Sequence, residues 1–121
     1  MNLKVVVVED NPLLLAQYVR TLEKADIEVQ STDNSFTAID LIDDTAPNVI
    51  LLDMLLKGPN ALTLLHELKS HEDLTSIPVV VISSMAEDVS LDQLRAYGVV
   101  DVLDKTSMHP RDIVRAVKRW V

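Results

Sequence analysis

Three carboxylates, a serine and a lysine each stand where a short apolar run ends. Glu9 and Asp10 follow Leu3 to Val8, Asp53 closes Val49-Ile50-Leu51-Leu52, Ser83 follows Pro78 to Ile82, and Lys105 follows Val99 to Leu103 and Asp104. Runs this short, with Pro47 before and Gly58-Pro59 after the one that ends in Asp53, read as strands buried on both faces. In an open parallel sheet the carboxyl ends of the strands border the crevice where ligands bind. Glu9, Asp10 and Asp53 gathered there repel one another unless a cation joins them. Oxygen donors suit a hard divalent ion such as Mg²⁺, with Mn²⁺ as its substitute, whereas zinc would want the His or Cys that the set lacks. Lys105 adds a compact positive charge and Ser83 a hydroxyl donor, both suited to phosphoryl oxygens. Asp53 is then free to act as a nucleophile. Its attack on phosphorus gives an acyl phosphate, and catalysis is mostly positioning and charge neutralisation.

These residues need a scaffold that brings four strand ends to one edge. Asn11-Pro12 opens a first helix, with Asn as cap and Pro in the first turn, and Leu15, Val19 and Leu22 recur through about Ala25. Ile27 to Ser31 is an edge strand, and a second helix from about Ser35 to Thr45 is expected to turn Phe36, Ile39 and Ile42 inward. After Asp53, residues 54–60 form a loop, and Leu62, Leu64, Leu65 and Leu68 mark a third helix ending near Ser70. His71 to Ser76 is polar and expected to be exposed. A fourth helix is expected over Glu87 to Tyr97, with Val89, Leu91 and Leu94 apolar and Gly98 as its cap. The last helix runs from about Pro110 to Trp120, with Ile113, Val117 and Trp120 on one face and the basic residues elsewhere. Five strands alternating with five helices imply an α/β fold with a parallel sheet covered on both faces.

Composition narrows the function. The 121 residues suit one domain, 1–121, and no run approaches the roughly 18 apolar residues of a membrane span. No secretory signal is expected, and with no cysteine there is neither a disulfide framework nor a thiolate metal site, which fits a cytoplasmic chain. A net charge of −8 argues against direct nucleic-acid binding. Only Gly58 and Gly98 occur, so neither a dinucleotide fingerprint nor a P-loop can be built. His66, His71 and His109 share no metal-ligand spacing and are expected to be solvated.

Val-Glu-Asp-Asn at 8 to 11, Leu-Leu-Asp at 51 to 53, Pro-Val-Val-Val-Ile-Ser-Ser at 78 to 84 and Asp-Lys at 104 to 105 together resemble the receiver domain of two-component response regulators. The resemblance spans essentially the whole chain. It implies a flavodoxin-like (βα)5 doubly wound sheet of order 2-1-3-4-5. It also implies transfer of a phosphoryl group from a histidine kinase or phosphotransfer protein to Asp53. Asp10, Asp53 and the Leu55 main-chain carbonyl would ligate the metal, with Glu9 assisting. Ser83 would couple the phosphoryl group to the face of helix four, strand five and helix five, which would bind a partner or a second copy of the chain. The domain would be a phosphoacceptor rather than a turnover enzyme.

Three departures from the family pattern stand out. Val102 replaces the usual Tyr or Phe, so switching by an aromatic rotamer is unavailable and rests on Ser83 and its loop. Thr106 replaces the proline common after the lysine, and a cis peptide before a non-proline costs about 3 kcal/mol. Leu55 and Met85, two residues past Asp53 and Ser83, cannot orient a water, so a long-lived phosphoaspartate is expected. Two other readings compete. A pseudo-receiver that only binds partners is opposed by retention of the acids, hydroxyl and lysine. A Mg²⁺-dependent phosphatase or phosphotransferase acting on small molecules would need a second general acid and a lid.

Overall fold

Short β-branched runs form the strands and longer amphipathic segments the helices. The computed structural model describes residues 3–54, 61–84 and 90–120. Within them β1 (Lys4–Val8), β2 (Glu28–Thr32), β3 (Val49–Asp53), β4 (Val79–Ser83) and β5 (Val99–Asp104) alternate with α1 (Pro12–Lys24), α2 (Ser35–Thr45), α3 (Ala61–Ser70), α4 (Leu91–Arg95) and α5 (Pro110–Arg119). All the strands run parallel in the order β2-β1-β3-β4-β5, as expected.

Strand alternation splits the core into two layers. Val6, Val8, Ile50, Leu52, Val79 and Val81 pack against α2, α3 and α4 through Ala38, Ile42, Leu64, Leu65, Leu68 and Leu94. Val5, Val7, Val49, Leu51, Val80 and Ile82 pack against α1 and α5 through Tyr18, Leu22, Ile113, Ala116 and Val117. Burial on both faces explains why β1, β3 and β4 carry almost no polar residue before their last position. Between Val79 and Val80 the partner on β5 jumps from Val99 to Asp101, so Val100 is an extra residue in a β-bulge.

Several local expectations are corrected. Phe36 does not face inward: it is 73% exposed, while Ser35, Ala38 and Ile42 form the buried stripe of α2. Asn34 caps the helix by accepting from Thr37 N, which puts Ser35 at the first helical position and Phe36 about 100° off the stripe. Leu62 is likewise exposed, and Ala61 takes its place beneath α3. The segment 71–76 is not uniformly exposed, because Leu74 is buried and pins it to the core. α4 starts at Leu91, not Glu87: Ser90 is extended and its hydroxyl accepts from Gln93 N as an N-cap. Glu87 and Val89 lie outside the described residues. Ala96 is the C-cap of α4, and Gly98 follows two residues later at φ +86, a conformation that favours glycine, with its carbonyl accepting from Val79 N.

Candidate functional site

Because the strands are parallel, their ends meet on one edge. The ladder continues past Val8, with Glu9 N donating to Thr32 O at 3.2 Å, and this draws the Glu9 side chain inside. Asn11 then turns the chain into α1. Its Oδ1 accepts from Leu13 N and Leu14 N, at 3.0 and 3.2 Å, and its own N–H donates to Glu9 Oε1 at 3.2 Å. One residue thus caps the helix and anchors an acid. Asp53, the last residue of β3, is buried, and Ser83, the last of β4, is buried beside it.

Lys105 closes the cluster. Its Nζ donates to Asp53 Oδ2 at 2.7 Å and lies 3.8 Å from Glu9 Oε2. The backbone fixes it to β4, since Lys105 N donates to Ser83 O at 2.9 Å. Thr106 keeps the N–H that a proline would lack, and both this N–H (2.9 Å) and its hydroxyl (2.6 Å) donate to Asp104 Oδ1. These bonds hold the Asp104 carboxyl below its usual range. Among the described residues no peptide bond is cis, Lys105–Thr106 included.

Glu9, Asp10 and Asp53 each offer a carboxylate oxygen, and these atoms lie within 4.8 Å of one another. Burial pushes the Glu9 carboxyl up to about 8, and the adjoining Asp53 adds to the rise. Lys105 and the Asn11 N–H pull the other way without cancelling it. Glu9 Oε2 is buried and has no hydrogen-bond partner among the described residues. An all-oxygen donor set with an unsatisfied buried acceptor is chemically matched to a hard divalent cation.

The strand ends therefore bring Glu9, Asp10, Asp53, Ser83 and Lys105 to one edge of the sheet. Leu55 and Met85 lie outside the described residues. His66, His71 and His109 are exposed, and the His66 ring packs edge-on against Tyr97 with centroids 4.6 Å apart. Val102 is half-buried against the α4 side of the core. One residue near the site was absent from the sequence reading. Tyr18 of α1 is 4% exposed, and its position four residues before Leu22, on the same helical stripe, is the signal that marks it.

Comparison with known proteins adds the context. The family model for the response regulator receiver domain matches residues 5–118. The polar-differentiation response regulator DivK of Brucella anthropi is 29% identical over 121 residues, covering 100% of this chain and 98% of that protein. Among solved structures, the chemotaxis response regulator CheY4 of Vibrio cholerae superposes with a TM-score of 0.90 at 16% identity, over 100% of both chains. The receiver domain of a sensor histidine kinase from Pseudomonas aeruginosa, described with a magnesium ion coordinated in its active site cleft, gives a TM-score of 0.87 at 19% identity, over 99% of this chain and 98% of that one. At these identities the two structures speak for the fold.

Proposed function

The chain belongs to the response regulator receiver domain family, and on that premise we propose that it accepts a phosphoryl group on Asp53 from the phosphohistidine of a histidine kinase or phosphotransfer protein. The observation that carries this reading is the Lys105–Asp53 pair at 2.7 Å, set beside the Glu9 and Asp10 carboxylates on the carboxyl edge of the sheet. An Asp53 carboxylate oxygen attacks phosphorus, the O–P bond forms as the N–P bond breaks, and the departing imidazole keeps the bonding electrons and takes up a proton. Asp10, Asp53 and Glu9, with the Leu55 main-chain carbonyl, would hold Mg²⁺ or Mn²⁺, which supplies charge neutralisation when bound. Lys105 leaves Asp53 Oδ2 for a phosphoryl oxygen, and the Ser83 hydroxyl donates to another.

The output is a change in the face of α4, β5 and α5. With valine at position 102 the signal passes through Ser83, whose carbonyl is bonded to Lys105 N, and alters binding of a partner or of a second copy of the chain. The domain turns over no separate substrate, works in the cytoplasm and makes no nucleic-acid contact of its own. Incubation with Mg²⁺ and acetyl phosphate should add one phosphoryl mass to the intact chain, and Asp53→Asn should abolish it. A chain that gains no mass behaves as a pseudo-receiver. A gain that persists in Asp53→Asn removes Asp53 as the acceptor.

A further inference from the structure

Among the described residues, two buried side-chain atoms lack a hydrogen-bond partner: Glu9 Oε2 and the Tyr18 hydroxyl. With Glu9 ionised, as cation binding requires, its Oε2 is an acceptor, and the Tyr18 hydroxyl can donate. Both belong to the same side of the sheet. Val5 and Val7 pack under α1 and α5, and one more step of the strand alternation puts Glu9 in their row; Val49 and Leu51 lead to Asp53 in the same way. Tyr18 packs within that layer. Side chains on a helix lean toward its N-terminus, so the Tyr18 ring leans toward the end of α1 that Asn11 anchors to Glu9. A cavity of about 170 Å³ between α1 and α5 is lined by both Tyr18 and Lys105. The charges of Glu9 and Asp53 both act on Tyr18, adding to the effect of its burial and keeping the hydroxyl protonated.

We propose that Tyr18 is a positioning residue of the phosphoacceptor site, whose hydroxyl donates to Glu9 Oε2 when a divalent cation occupies the acid cluster. This rests on the phosphotransfer reading above. Lys105 Nζ lies 3.8 Å from Glu9 Oε2, and on the phosphotransfer reading it moves to a phosphoryl oxygen. Tyr18 then holds one Glu9 oxygen while Asn11 N–H holds the other. A buried hydroxyl without a partner costs stability, and a hydrogen bond to Glu9 removes that cost.

The test is Tyr18→Phe, which removes the hydroxyl and keeps the ring, measured for melting temperature without metal, for Mg²⁺ affinity by calorimetry and for phosphoryl gain from acetyl phosphate. The variant should melt at or above the wild-type temperature yet bind Mg²⁺ about five-fold more weakly, as loss of a hydrogen bond to a charged group implies. In a Glu9→Leu background, which has no acceptor, the same substitution should leave Mg²⁺ affinity unchanged. Unchanged affinity in the single variant, an equal loss in the Glu9→Leu background, or a variant that melts well below wild type each overturns the proposal. A wild type that binds Mg²⁺ but gains no phosphoryl group removes the phosphotransfer reading, leaving the Tyr18 to Glu9 contact to stand or fall on the affinities. A wild type that binds no Mg²⁺ removes the Tyr18 proposal whether or not it is phosphorylated.

Discussion

Lys105 Nζ sits 2.7 Å from Asp53 Oδ2, and the lysine side chain retains only 19% of its exposure. The pair is thus shielded from solvent screening, and a second acid, Glu9, leans on the same ammonium. In such a cluster the charges set the behaviour of the site before any ligand arrives.

Replacing Lys105 with methionine keeps most of the packing and removes the charge. The buried Asp53 carboxylate is then left without its ammonium, so the apoprotein should lose about 3 kcal/mol in urea unfolding. Part of the loss should return with Mg²⁺, because a cation substitutes for the ammonium. A variant as stable as the parent without metal would show that the pair carries no weight.

Glu9 makes stability depend on pH. Its folded carboxyl titrates near 8, above the ordinary 4.5, so the folded chain holds a proton that the unfolded chain has released over that interval. Its contribution is greatest below about 4.5 and is lost as pH rises through about 8. Unfolding midpoints should therefore fall between pH 5 and pH 9, and Glu9→Gln should flatten that slope. Added Mg²⁺ should raise the pH 9 midpoint more than the pH 5 one, since ion and proton compete for the same oxygens. A slope unchanged by Glu9→Gln would assign the dependence elsewhere.

The two sides of α2 can be told apart directly. Ile42→Ala empties a fully buried position and should cost about 2–5 kcal/mol, whereas Phe36→Ser, at 73% exposed, should change stability by no more than about 0.5 kcal/mol. Denaturant melts of both variants settle it, and a large loss at Phe36 would put that ring in the core after all.

On the phosphotransfer reading a long phosphoryl lifetime is expected from Leu55 and Met85, whose side chains carry no group that could aim a water at phosphorus. Decay of the phosphorylated chain, followed by intact mass at neutral pH, should be slower than in variants with Asn at position 55 or Glu at position 85. Lifetimes of only seconds in the parent would contradict this.

The sheet was legible because burial on both faces leaves a plain mark: near-continuous apolar runs that end in the residues of interest. Asn11 and Pro12 announced α1 by the chemistry of its first turn. The helix faces were harder. Phe36 and Leu62 are apolar and fit a helical period, yet both are exposed; in α2 the Asn34 cap makes Ser35 the first helical residue and leaves Phe36 off the buried stripe. Periodicity ran through Ser90, where the hydroxyl instead starts α4. The members of the site could be read from strand ends, but the inward turn of Glu9 and its proton affinity could not. Both follow from the ladder bond to Thr32 and the Asn11 N–H. Tyr18 escaped notice because a tyrosine on an apolar stripe looks like packing until its hydroxyl is followed into the core.

The extra residue at Val100 has a consequence for the reading frame of β5. Val99 and Val102 both pack toward α4, although they are three residues apart, an odd spacing that an unbroken strand would send to opposite faces. The bulge inverts the parity of everything after it, so Lys105 emerges on the same side as Glu9 and Asp53. An unbroken strand running through the same residues, Val100 included, would carry the lysine to the opposite face from its acids. The charge balance of the site is in this sense counted out in residues, two strands away from the aspartate it serves.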